Sequence, residues 1–260
     1  MTETRTEYAS GVFCWVDLSN PDLDGVVRFY GELFGWDART LPGSDRYTMF
    51  TRDGKPVAGV LPRELEGRPP AWNTYIAVAD AEVAAKAVES AGGRVHRPPA
   101  AERDHGVVAV CSDPEGAVFF LWQSLGFAGA SLVNEVGSWC WNELLSRDPE
   151  RAREFYPQVF GWHHETEVYD GLACTKWSSH GRLIGSMVPL EGQPDTPPHW
   201  MVYFTVADLD DATARATALG GARVAGPMDV GTGLVVLLRD PYGTVFAVIR
   251  MADQPDTAAG

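Results

Sequence analysis

Two carboxylates stand in matching frames, Asp17 in Trp15-Val-Asp-Leu and Glu143 in Trp141-Asn-Glu-Leu, 126 positions apart. An acid buried beside aromatic rings has its pKa raised, because burial penalises the charged form. Such a group can serve as a general base or hold a cationic amine. A carboxylate bonded to backbone groups at a junction between two halves would look the same in sequence, and both readings stand at this point. The six histidines carry less chemistry. His163 and His164 follow Gly161-Trp162 at a helix-to-strand corner and read as a solvated loop pair. His105 lies in the turn Asp104-His105-Gly106, and His199 precedes a strand that could bring it to the rim of a site; the others are His96 and His180. Cys14, Cys111, Cys140 and Cys174 have neither C-x-x-C spacing nor disulfide density, so they read as reduced thiols. Nothing matches G-x-S-x-G, a phosphate-binding glycine loop or H-E-x-x-H, which disfavours serine, nucleotide and zinc-protease chemistry.

The elements that must position these residues are written twice. Cys14, Trp15, Phe29-Tyr30 and Phe34-Gly35-Trp36 recur 126 positions later as Cys140, Trp141, Phe155-Tyr156 and Phe160-Gly161-Trp162. Trp72, Tyr75 and Val78-Ala79-Asp80 recur at an offset of 128, and Asp113-Pro114 with Gly116 at 127. An offset that drifts so little marks a tandem duplication. Within the first copy, residues 12–18 read as a strand, and Val26, Phe29, Tyr30 and Leu33 fall at helical spacing. Asp22 or Asp24 would cap that helix and Gly35 stop it. Short strands follow at 37–40, 47–52 and 56–61, between Pro, Gly and Asp turns. The pattern then restarts with a strand at 73–78, a helix at 81–91 and three more strands near 94–96, 107–111 and 117–122. Each copy is therefore two βαβββ units, and the chain four, an α+β architecture. The expected boundaries are 8–124 for the first domain, 125–136 for a linker and 137–253 for the second.

A helix ending Phe-Tyr…Phe-Gly-Trp with a last strand after Asp-Pro-x-Gly, seen twice, resembles the vicinal oxygen chelate superfamily. That superfamily includes glyoxalase I, bleomycin-resistance proteins and extradiol dioxygenases. The two-copy form is similar to actinobacterial proteins labelled glyoxalase-like or hydroxylase. The resemblance implies a curved sheet per copy, with a ligand in its concave face and helices outside. In metal-bearing members, His and Glu-type ligands project from four strands into that cup. Carried onto this chain, those positions fall at Trp15, Thr74, Phe120 and the stretch 58–60, and in the second copy at Trp141, Val202, Ala247 and 185–187. None holds a ligand of the expected type, so the expectation is a protein with no metal and no cofactor. Trp15, Asp17, Trp72, Thr74, Phe120 and Trp122 of one copy, with Trp141, Glu143, Trp200 and Val202 of the other, are then expected to line cups suited to a flat aromatic ligand. The face presented by Trp177 is not assignable from sequence, and Trp36 and Trp162 read as core plugs.

Composition narrows the partners. The 260 residues carry 21 Lys and Arg against 35 Asp and Glu, a net charge of −14. That balance excludes a nucleic-acid backbone binder and mildly favours neutral or cationic small molecules. There is no membrane-length apolar run and no signal-like start, which points to a cytoplasmic protein. Nine Trp, 8 Tyr and 11 Phe supply abundant flat aromatic surface. The leading expectation is metal-independent capture of a bulky aromatic molecule, such as a polyketide or antibiotic, for sequestration, self-resistance or help to a biosynthetic partner enzyme. The alternative is a tailoring enzyme (isomerase, cyclase or hydroxylase type) using Asp17 or Glu143 for proton transfer. The chain is expected to act as a monomer or homodimer.

Overall fold

Among the described residues the chain forms four helices and sixteen strands, in the same order in both halves. The computed structural model describes residues 4–41, 43, 47–62, 69–169, 171–192 and 195–252. The first half runs β1 (Phe13–Ser19), α1 (Leu23–Phe34), β2 (Asp37–Thr40), β3 (Thr48–Arg52), β4 (Lys55–Leu61), β5 (Ala71–Ala77), α2 (Ala81–Ser90), β6 (Arg94–Glu102), β7 (Gly106–Ser112) and β8 (Val118–Ser124). The second half repeats it as β9 (Trp139–Ser146), α3 (Pro149–Phe160), β10 (His163–Tyr169), β11 (Leu172–Ser179), β12 (Arg182–Pro189), β13 (His199–Thr205), α4 (Leu209–Ala218), β14 (Ala222–Asp229), β15 (Gly233–Arg239) and β16 (Val245–Met251).

The helix ends follow the capping chemistry in the sequence. Asp22, not Asp24, is the N-cap of α1, its side chain accepting from the Gly25 N–H, and Asp148 does the same for α3. Gly35 and Gly161 close these two helices in the left-handed conformation at φ 70° and 68°, where a Cβ would be strained. Asp80 and Asp208 cap α2 and α4. His163 and His164 open β10 rather than sitting in a loop, because the strand resumes immediately after Gly161-Trp162.

Each half folds into one eight-stranded sheet, ordered β2-β3-β4-β1-β5-β8-β7-β6 in the first and β10-β11-β12-β9-β13-β16-β15-β14 in the second. The two βαβββ units of a half meet where β1 pairs antiparallel with β5, and β9 with β13. The halves face each other through their helices, α1 against α4 and α2 against α3, and touch at β5 and β13. Aromatic rings fill the space between the sheets in two related clusters. Tyr30, Phe34, Trp36 and Trp72 of the first half pack with Phe204 and Phe246 of the second. Tyr156, Trp162 and Trp200 of the second half pack with Phe13 and Phe119 of the first. Trp177, fully buried, belongs to the latter group through Tyr156 and Trp162. The indole N–H of Trp36 donates to Gly137 O at 2.7 Å, and that of Trp162 to Gly11 O at 2.6 Å, so both plugs also tie one half to the other. The helix-side faces of both sheets are spent on this shared core.

Candidate functional site

Cross-strand partners share a face of a sheet, so the register decides what lines each concavity. In the first half Trp15 lies opposite Tyr75, Tyr75 beside Phe120, and Asp17 opposite both Gly59 and Asn73. The Asp17 carboxylate accepts from Asn73 Nδ2 at 2.8 Å, Tyr75 Oη at 2.7 Å and Tyr47 Oη at 3.2 Å. Trp15 Nε1 donates to the same Tyr47 hydroxyl at 2.8 Å. Above this network the segment after β8 folds back. Phe127 sets its ring edge-on to Trp15 at 5.0 Å, and its carbonyl accepts from Trp122 Nε1 at 2.8 Å. Ala130 N–H donates to Cys14 O. Trp15, Asp17, Tyr75, Phe120 and Trp122 are all buried, so the first concavity is filled from within.

The second concavity has the same plan with different contents. Trp141 lies opposite Tyr203, Tyr203 beside Ala247, and Glu143 opposite both Ser186 and Met201. Trp141 Nε1 donates to Ser186 Oγ at 2.8 Å, Ser186 donates to Glu143 Oε1 at 2.8 Å, and Tyr203 Oη donates to Glu143 Oε2 at 2.5 Å. Burial pushes the Glu143 pKa up, while the two hydroxyl donors pull it back. Met201, Tyr203, Val235, Ala247 and Ile249 form an apolar cluster separate from the main core, with Cys140, Trp141, Leu145, Leu237 and Val245 packed on it and only half-buried. His199 lies opposite Leu145 at the edge of this face. Its Nδ1 lies 2.8 Å from the Pro197 carbonyl, which can only accept, so Nδ1 carries the proton. Burial lowers the imidazole pKa and keeps it neutral, with Nε2 as an acceptor.

The residues do not fit the metal that many members of this fold carry. Each concavity contributes one carboxylate, and both oxygens of each already accept hydrogen bonds from hydroxyl or amide donors. The neighbouring positions are Trp, Tyr, Phe, Gly, Ser and Ala, with Asn73, Met201 and a single thiol, Cys174, and together they do not supply the three or four converging nitrogen, oxygen or thiolate donors a divalent ion needs. Among the described residues no group of three His, Cys, Asp or Glu is placed to hold one.

The expected lining residues divide by strand. Trp15, Asp17, Phe120 and Trp122 come together in the first concavity, and Trp141 and Glu143 in the second. Trp72, Thr74, Trp200 and Val202 lie on the opposite face, a correction to the sequence reading. Trp72 Nε1 donates to Tyr30 Oη at 3.1 Å and Trp200 Nε1 to Tyr156 Oη at 3.0 Å, both inside the inter-half core. Thr74 Oγ1 reaches across to Asn142 Oδ1 at 2.9 Å, and Val202 is buried among the same core. The physical reason is register: β5 pairs Tyr75, not Thr74, with Trp15, after an irregularity in β1 between Phe13 and Trp15. The residues that sequence reasoning did not place on the Asp17 and Glu143 faces are Asn73 and Tyr75, Met201 and Tyr203, with Tyr47, Cys174 and Ser186 beside the carboxylates. The repeat of Tyr75 as Tyr203 was the available signal.

Residues 139–248 match the Glyoxalase/Bleomycin resistance protein/Dioxygenase superfamily, and residues 15–122 match the glyoxalase-like domain. A Mycobacterium bovis protein whose name provisionally calls it a glyoxylase, CFP32, is 39% identical over 96% of this chain and 98% of its own length. The anthracycline biosynthesis protein DauV of Streptomyces sp. (strain C5) is 34% identical over 98% of both chains. In fold, the chain is similar to the Mn(II)-bound glyoxalase from Novosphingobium aromaticivorans, with TM-score 0.65, 16% identity and coverage of 100% of this chain and 86% of that one. It is similar also to the 2,3-dioxygenase LapB from Pseudomonas sp. KL28, with TM-score 0.67, 16% identity and 97% of both chains covered. No helix among the described residues is long and apolar enough to cross a membrane. Sequence matches over both halves, full-length relatives and the twice-repeated fold agree: this chain is a two-domain member of the glyoxalase/bleomycin resistance protein/dioxygenase superfamily.

Proposed function

We propose that the protein captures a flat, hydrophobic aromatic small molecule on a concave sheet face, without a metal ion, to sequester it or to pass it to or from a biosynthetic partner enzyme. The observation that carries this reading is the concave face of the second half, where Trp141 and Glu143 are half-buried beside an apolar cluster detached from the main core. An indole beside aliphatic side chains gives a flat ligand stacking and burial, and a few polar groups orient it. Full-length similarity to proteins named for anthracycline biosynthesis supports an aromatic polyketide as the ligand class. The net charge of −14 suits a neutral or cationic ligand. The test is native mass spectrometry of metal-stripped protein with the anthracycline doxorubicin, followed by titration of Trp15→Ala and Trp141→Ala. Capture and release of the molecule at unchanged mass supports the reading. Loss of the indole on the binding face should weaken affinity by about 1–3 kcal/mol. Unchanged affinity in both variants would remove the site assignment.

A second reading, a tailoring enzyme moving a proton through a carboxylate, draws on the raised pKa of Glu143 and its short bond to Tyr203. A released ligand of altered mass would favour it. Turnover surviving in Asp17→Asn, Glu143→Gln and the double variant would end it.

A further inference from the structure

Among the differences between the two concavities is one reciprocal exchange. In the first, Tyr47 sits just before β3 and puts its hydroxyl between Trp15 and Asp17. Gly59, opposite Asp17, makes room for it, because a Cβ there would collide with the Tyr47 hydroxyl. In the second half the residue opposite Glu143 is Ser186, whose hydroxyl takes up the same two bonds, from Trp141 and to Glu143. The counterpart of Tyr47 is Cys174. Thr48 bonds Thr40 across the β2–β3 pair at 2.9 Å as Thr175 bonds Thr166 across β10–β11 at 2.9 Å, and Tyr47 and Cys174 immediately precede these threonines. The polar end of the tyrosine is thus kept by serine, while its ring is replaced by a thiol.

We infer that the first concavity carries its own occupant in the Tyr47 side chain, and that the second takes one aryl ring of an external ligand in the slot that ring leaves, so that each chain binds a single flat aromatic molecule. This rests on the binding reading above and adds to it the site, the stoichiometry and the ligand edge that enters. The slot is walled by Trp141, Cys174, Ser186 and Tyr203, and the rest of the ligand spreads over the open apolar rim. Met228 lies opposite the cluster residue Val235, Met251 follows Ile249 along the same face, and Leu172 precedes Cys174 by two residues. These three are 40%, 49% and 44% exposed, more apolar surface than solvent-facing positions on a strand need. Flexible methionines there can fit ligands of differing outline. The first half has Phe127 and the chain after β8 across the corresponding space.

The experiment is a fluorescence titration with doxorubicin. Wild type should bind one molecule per chain. The double variant Cys174→Tyr/Ser186→Gly, which installs the first half's plug, should weaken binding by at least about tenfold, the equivalent of one lost ring contact. Two molecules per wild-type chain, or unchanged affinity in Cys174→Tyr/Ser186→Gly, overturns the inference while leaving aromatic binding standing. If doxorubicin does not bind wild type at all, the proposed function falls and the slot is decided separately by N-phenylmaleimide, whose maleimide must reach the half-buried Cys174 thiol. Alkylation of Cys174 ahead of the buried Cys14, slowed by p-cresol as a stand-in for the tyrosine side chain, upholds the slot. Alkylation indifferent to p-cresol, or of Cys14 first, ends it.

Discussion

The hydroxyl of Tyr30 donates to the carboxylate of Asp240 at 3.0 Å across 210 positions of chain, and its repeat counterpart Tyr156 donates to Asp113 at 3.1 Å. The tyrosine of the Phe-Tyr helix in each half is thus satisfied by the Asp-Pro turn of the other. Each aspartate spends its second oxygen on its own turn, Asp113 on the N–H groups of Glu115 and Ala117, Asp240 on those of Tyr242 and Thr244. Each tyrosine also accepts an indole N–H, from Trp72 or Trp200. The motifs that mark the family are therefore the clasp between its halves. Glu115 adds to one side by accepting from Ser146 and from the backbone of Arg147 and Asp148 at the start of α3.

Removing one hydroxyl should cost more than an ordinary hydrogen bond, because a buried carboxylate and a buried indole each lose a partner. Tyr30→Phe and Tyr156→Phe are each expected to lower stability by about 1–3 kcal/mol. Urea unfolding measures it. A loss below a few tenths of a kcal/mol would show that the clasp is dispensable.

Burial raises the pKa of Asp113 to about 6, against the pull of its backbone and Tyr156 hydrogen bonds. The unfolded chain has an ordinary aspartate near 3.9. The folded state therefore holds the extra proton between about pH 4 and 6, and this contribution to stability is lost as pH rises through that window. The stability difference between wild type and Asp113→Asn should shift against wild type over the same interval, by up to about 2–3 kcal/mol. Unfolding at a series of pH values checks it, and a difference independent of pH would mean the side chain titrates normally.

Gly59 has no room for a side chain while Tyr47 occupies the first concavity. Gly59→Ser should expel the tyrosine or strain the strand, costing about 1–3 kcal/mol. In the Tyr47→Cys background the same change should be nearly neutral. Equal costs in the two backgrounds, in thermal unfolding, would contradict the exchange described above.

Trp72 and Trp200 face the shared core, not a concavity. Trp72→Ala and Trp200→Ala should each destabilise by about 3–5 kcal/mol, while the folded fraction keeps its affinity for an aromatic ligand. Weakened binding by fully folded Trp72→Phe or Trp200→Phe would put these rings back at the site.

Repetition, periodicity and capping residues in the linear sequence were enough to reveal four βαβββ units. The spacing of Phe29, Tyr30 and Leu33, the caps at Asp22 and Gly35, and the matched Trp-Val-Asp-Leu and Trp-Asn-Glu-Leu strands are local features, and local geometry follows from them. The positions of Asp17 and Glu143 among aromatic rings were legible for the same reason. The face shown by β5 and β13 was not. Strand periodicity is two, so one irregularity between Phe13 and Trp15 inverts which residues of the neighbouring strand share a face. Tertiary pairing alone put Tyr75 and Tyr203 on the carboxylates and sent Thr74 and Val202 to the core. It also crossed the Phe-Tyr and Asp-Pro motifs between halves, and it set Tyr47 against Gly59 where Cys174 and Ser186 stand in the second half. Those relationships join residues distant in sequence, and no local pattern encodes which half a side chain will meet.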